Sequence, residues 1–155
     1  MHRPNLVGII ALGGLSLAAA ECTREKLFAT AEKYLAAQKS GKLDELKKIF
    51  PAAGAVYQEN NKVIDFSKGV ISQALNVEYN RTTADTTACA SYIELVANTP
   101  TPYVIGTQLR LSPDASTVTM VDSIVATTGA LFFNSSATMG YFQKACRQHP
   151  VAAKT

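Results

Sequence analysis

The sequence predicts an α+β domain in which a curved antiparallel sheet is wrapped around N-terminal helices. Three observations predict it. From Leu75 to Thr128 the chain reads as four successive segments, LNVEYNRTTAD, TTACASYIELVAN, PYVIGTQLRLS and TVTMVDSIVATT, each rich in the residues that suit a pleated, half-buried surface. Turn signals separate them at Ala84-Asp85, from Asn98 to Pro102 and at Ser112-Pro113-Asp114. A spacing of about a dozen residues leaves no room for crossover helices, so neighbouring strands should run antiparallel. Everything before Leu75 carries helical patterning or a short hairpin, and the helices need a sheet face to cover.

The first element is a leader. Arg3 supplies a positive start, Leu6 to Leu17 an apolar run, and Ala18-Ala19-Ala20 a small-residue cleavage site. The run falls short of the ~20 residues a bilayer requires. Residues 1–20 are therefore expected to be a removed signal peptide, with a secreted mature chain starting near Glu21 and no membrane partner after cleavage. Residues 21–147 form a single domain, and 148–155 a patternless tail.

Thr23 is the expected N-cap of the first helix. Leu27, Phe28, Ala31, Tyr34 and Leu35 recur at helical spacing, and Ser40-Gly41 closes it. A second helix has Asp44 and Glu45 in its first turn, buries Leu43, Leu46, Ile49 and Phe50, and stops at Pro51. Val56 to Glu59 and Lys62 to Asp65 flank Asn60-Asn61, a pair that tolerates the positive φ of a tight hairpin turn. Ser67 is placed as the cap of a short helical turn over Lys68 to Gln73. After the four strands, Gly129 breaks the chain, and Ser135 or Ser136 caps a last helix carrying Tyr141, Phe142 and Ala145 on one side.

Cysteine use agrees with export. An oxidising compartment favours pairing two of Cys22, Cys89 and Cys146. The pair Cys22–Cys89 would clip the start of the first helix to the sheet; Cys89–Cys146 is the competitor. Two sequons, Asn80-Arg81-Thr82 and Asn134-Ser135-Ser136, mark Asn80 and Asn134 as glycosylation candidates.

A charged share of 17% and a hydrophobic share of 47% describe an ordinary globular protein. Net charge is +3, with no basic cluster denser than Lys47-Lys48, so nucleic acid is not an expected partner. The only histidines are His2 in the leader and His149 in the tail, which argues against His-based acid chemistry, a Ser-His-Asp arrangement or a His-rich metal site. No Gly-rich phosphate loop follows a strand. No cofactor and no metal are expected.

The element order resembles the nuclear transport factor 2-like superfamily, with its SnoaL-like polyketide cyclases, ketosteroid isomerase and limonene epoxide hydrolase. More closely, CTREKLFATAEKYLAAQ, YQENNKVI, NRTTADTTACASYIEL and PYVIGTQLRL, continuing into VDSIVATTGALFFN, are similar to a domain of unknown function in secreted fungal proteins. The likeness covers about Cys22 to Asn134. It implies a cone with an open mouth, and chemistry either of a carboxylate base with a tyrosine or of an Asp-Arg-Asp group.

Candidate site residues follow from alternation. Asp122 lies in the otherwise apolar row Val118, Met120, Ile124, Ala126, which would send it inward as an acid or base, or as a structural partner. A glycosylated Asn80 must face solvent, so Tyr79 and Arg81 face the interior, where Arg81 needs Asp122 or Asp85. Tyr57 and Glu59 share one face of the hairpin strand and are placed as ligand contacts, beside the plainer reading of an ordinary half-buried strand. Tyr92 and Glu94 share a face as well, with Glu94 read as solvated. The function expected is a secreted protein that binds a small apolar or aromatic molecule, acting either as a binder or as a cofactor-free isomerase, cyclase or epoxide-opening enzyme. The alternative is a non-enzymatic, effector-like interaction protein with a filled core. A homodimer through the outer sheet face is compatible with both.

Overall fold

The computed structural model describes residues 22–50, 54–130 and 133–148. The expected leader, Pro51 and the residues beyond Gln148 lie outside the described residues, as does the side chain of Cys146. The element order is helix α1 (Arg24–Ser40), a single turn α2 (Asp44–Lys47), strands β1 (Val56–Glu59) and β2 (Lys62–Val63), two 3₁₀ turns (Phe66–Lys68 and Val70–Ser72), strands β3 (Val77–Asp85), β4 (Ala90–Ala97), β5 (Tyr103–Leu111) and β6 (Val118–Thr127), and helix α3 (Ser135–Gln148).

α1 forms where its stripe predicts. Thr23 caps it by accepting from Lys26 N, and Gly41 ends it at φ 66°, a left-handed conformation that favours glycine. Leu27, Ala31 and Tyr34 are fully buried and Leu35 nearly so, against one face of the sheet. Each large apolar side chain there contributes about 1.5–3 kcal/mol. The second helix is shorter than its apolar pattern suggested: four residues, of which Leu46 is the buried anchor. The cap ahead of the 3₁₀ turns is Asp65, which accepts from Ser67 N at 2.8 Å, not Ser67 itself. Likewise α3 is capped by Asn134, whose Oδ1 accepts from Ala137 N, and Tyr141 is exposed.

One open sheet runs β2-β1-β6-β5-β4-β3. The β3 to β6 meander is antiparallel throughout, and β1–β2 is an antiparallel hairpin turning at Asn60 and Asn61, with φ 50° and 64°. The expectation of a wholly antiparallel sheet fails at one joint: β1 lies parallel to β6, pairing Val56 with Met120 and Glu59 with Ser123. The hairpin is not the next leg of the meander. It returns to the far edge, and the chain between it and β3 crosses over as the two 3₁₀ turns. Register shifts at Val77/Tyr79 and Arg110/Leu111 bend the strands. A disulfide joins Cys22 to Cys89, Cα atoms 5.6 Å apart, tying the start of α1 to the β3–β4 turn.

Cross-strand partners share a face. On the side facing α1 stand Ile93, Leu95 and Ala97 of β4, Ile105 and Leu109 of β5 and Val121 of β6, all buried in the core. The opposite side is partly covered by α3, where Phe142 stacks on Tyr79 at 5.2 Å.

Candidate functional site

Alternation along β1 sends Tyr57 and Glu59 to the α1 side, opposite Val121 and Ser123 of β6. The Tyr57 hydroxyl donates to Glu59 Oε1, and the same oxygen accepts from Val70 N at 2.5 Å. Tyr57 is 2% exposed, and burial, reinforced by the bond to the Glu59 carboxylate, pushes its phenol well above its ordinary value. The backbone comes this close because residue 69 is glycine. A Cβ there would stand 2.6 Å from the Tyr57 hydroxyl and 2.7 Å from Glu59 Oε1.

Beside this pair, Ser123 and Thr107 continue the row of Glu59 across β6 and β5. Thr107 Oγ1 lies 2.9 Å from Ser123 Oγ and 2.7 Å from the hydroxyl of Tyr34, which reaches down from α1. Tyr34, Thr107 and Ser123 are fully buried. Burial pushes the Tyr34 phenol up to about 12, against the opposing pull of its bonds to Thr107 and Ser123. The interior is therefore not a wholly apolar cone. It holds a polar row whose hydroxyls bond to one another.

A cleft of about 380 Å³ opens next to it, lined by Leu43, Leu46, Lys47, Phe50, Gly54, Ala55 and Phe66. Phe66 is shared between cleft and cluster. Its ring stacks on Tyr57 at 4.5 Å and 12°, and meets Phe50 at 4.7 Å and 57°. These aromatics form a wall, with Lys47 the cation on the lining.

Of the sequence-predicted residues, the structure brings together only Tyr57 and Glu59. Arg81 is exposed and pairs across from Glu94, on the face away from α1. Alternation holds from Tyr79 to Arg81, but Asn80 is the residue on the α1 side, paired with the core residue Leu95, so Tyr79 and Arg81 fall on the outer face. Asn80 is nonetheless exposed, because β3 is an edge strand. Tyr79 also faces outward, onto Phe142. Asp122 pairs with Gln108 and Gln58 on that outer face, so the expected inward carboxylate is corrected too. The row of β6 that faces α1 is Val121, Ser123 and the half-buried Val125; Ile124, expected in the interior, is 55% exposed. Asp122 and Arg81 sit three strands apart, roughly 14 Å, and do not converge. Asp85 serves the β3–β4 turn, accepting from Thr87 N and Ala88 N.

Sequence reasoning missed Thr107, Ser123, Gly69 and the hydroxyl of Tyr34. A signal existed for the first two: each is one polar residue in an alternating apolar row, Ile105-Thr107-Leu109 and Val121-Ser123-Val125. Gly69 had none, because its requirement arises from a close approach between distant segments.

The sequence matches no protein-family model and no curated protein. Among solved structures, the chain is similar to a protein of unknown function with a cystatin-like fold from Methylobium petroleophilum, at 11% identity and TM-score 0.51 over 73% of this chain and 84% of that one. It is also similar to PrhC from Penicillium brasilianum, at 11% identity and TM-score 0.45 over 81% and 91% of the two chains. An NTF2-like protein of unknown function from Shewanella baltica gives 14% identity and TM-score 0.45 over 66% and 92%. The likeness is one of fold. The Methylobium structure carries it, and it bears out the α+β arrangement of a sheet with helices on its face.

Proposed function

We propose that this protein is secreted and binds one small apolar or aromatic molecule, without transforming it, in the cleft walled by Phe50 and Phe66. The observation that carries the reading is the aromatic wall Phe50–Phe66–Tyr57 beside a cleft of about 380 Å³, within the size range of small-molecule pockets. Binding is favoured over catalysis because the inner hydroxyls of Tyr34, Thr107, Ser123 and Tyr57 are engaged with protein groups, while Arg81 and Asp122 lie on the other face. An acid or base must reach the atom it serves. Export is supported by the leader-like residues 1–20 and by the Cys22–Cys89 disulfide, a bond that persists in oxidising compartments.

The test is titration with anilinonaphthalene sulfonate, an apolar probe with one acidic group to meet Lys47. One equivalent should bind, and Phe66→Ala should weaken it about tenfold, or 1.4 kcal/mol, while circular dichroism shows the variant folded. Undiminished binding by Phe66→Ala, or loss only on changing Ile124 of the outer face, would sink this placement. Secretion is checked separately: the exported protein should begin near Glu21, and an intact Met1 on it contradicts the leader reading.

A further inference from the structure

We infer that Asn80 carries an N-linked glycan, and that this glycan shields the open edge of the sheet at β3. The inference rests on the proposed secretion and adds to it a eukaryotic route, which the acceptor triplets favour. Three observations of different kinds meet at this residue. Asn80-Arg81-Thr82 is an acceptor triplet in which the middle residue is not proline. Asn80 is exposed, and among the described residues its side chain makes no hydrogen bond. The other sequon differs: Asn134 is already turned back to cap α3 through Ala137 N.

The third observation is topological. β3 is nine residues long and, among the described residues, paired on one side only, by β4. Its free side presents a row of unpaired backbone N–H and C=O groups, the template on which another strand can add. The opposite edge, β2, is two residues long and offers little of this. Asn80 stands within the long edge strand, so a bulky hydrophilic chain there would obstruct an approaching strand. Arg81 and Glu78, both exposed on the same strand, add charge but far less bulk than a glycan.

The co-reactant is an oligosaccharide linked to a polyprenyl pyrophosphate. The Asn80 amide nitrogen forms a bond to the anomeric carbon of the first sugar. The carbon–oxygen bond to pyrophosphate breaks, the lipid pyrophosphate leaves with the electron pair, and the amide gives up one proton.

The experiment uses the full chain, leader included, secreted from a eukaryotic host. Enzymatic deglycosylation in heavy-oxygen water should convert Asn80 to labelled Asp in the peptide map, and the accompanying gel shift should be lost in both Asn80→Gln and Thr82→Ala. Both variants should show a rise in self-associated species by sedimentation, and Asn80→Lys should reverse it by placing a charge on the edge. Secreted protein with unmodified Asn80 overturns the inference and leaves the secretion reading intact. Protein retained in the cell with its leader overturns both. Occupied Asn80 with variants as monodisperse as the parent overturns the shielding role.

Discussion

At Gly69 a single hydrogen atom in place of a methyl group lets two segments meet. Gly69→Ala puts a carbon within 2.7 Å of Glu59 Oε1 and closer still to the Tyr57 ring, so the strand or the turn must move. The expected cost is about 1–3 kcal/mol, the range for overpacking a filled interior, read as a fall in urea midpoint. Tyr34 gives a pH-dependent counterpart. Its folded-state value is raised from 10.0 to about 12 by burial, so the stability it contributes is whole below 10 and fades as pH rises through about 12. Tyr34→Phe lacks this term and gives up a hydrogen bond worth about 1 kcal/mol. The stability gap between parent and variant, measured by denaturant titration, should therefore narrow between those two pH values; a constant gap would contradict the burial argument. Residue identity alone showed neither effect. Tyr34 was legible as core from its helical spacing, but its partner Thr107 is 73 residues away, and only the fold joins them.

The hairpin turn separates two kinds of asparagine. Asn61 holds φ 64° and is exposed, so Asn61→Gly should be near neutral while Asn61→Val should cost about 1–2 kcal/mol through the left-handed backbone penalty. Asn60 holds φ 50° as well, but its Oδ1 accepts from Val125 N at 2.9 Å and its Nδ2 donates to Val125 O at 3.1 Å. Asn60→Gly keeps the turn and loses both bonds, so thermal melts should rank it below Asn61→Gly. The hairpin itself was readable, since Asn-Asn between two alternating runs has a local meaning. Which strand it docks against was not: parallel pairing with β6 depends on residues far along the chain. The same limit misplaced Arg81 and Asp122. Alternation assigns faces only relative to a neighbour, and Asn80 misled as that neighbour: on an edge strand a residue of the α1-facing row can still be exposed. On β6 the row of Met120, Ile124 and Ala126 is the more apolar, while the row of Val121 and Val125 also carries Ser123 and Thr127, so the pattern favoured the wrong one.

For the molecule as a whole, the disulfide sets a measurable contribution. Cys22 and Cys89 enclose a loop of 67 residues, and the chain-entropy account gives about 4 kcal/mol for closing one of that length. Paired Cys22→Ala and Cys89→Ala changes should lower the unfolding free energy by a comparable amount while leaving the fold's circular dichroism signature; an unchanged urea midpoint would show that the bond restrains nothing. The α+β architecture was legible because helical and strand periodicities are properties of short windows. The cleft was not, since its wall joins Phe50 and Phe66 across a hairpin and its lining is shared by α2, the chain around it and the first 3₁₀ turn.

The parallel joint between β1 and β6 has a kinetic meaning. The β3 to β6 meander links strands that follow one another and can zip from turn to turn. The hairpin's anchor, Asn60 to Val125, spans 65 residues, and its chain entropy is lost before any pairing rewards it. The hairpin is thus the late-arriving piece in folding, docking onto a β6 edge that already exists. Tyr57 and Glu59, two residues apart on β1, travel with it as a pair, and the closing step sets them opposite Val121 and Ser123. Until then the β6 edge stands open, and Ser123, paired with Thr107 but not yet with Glu59, is still wet.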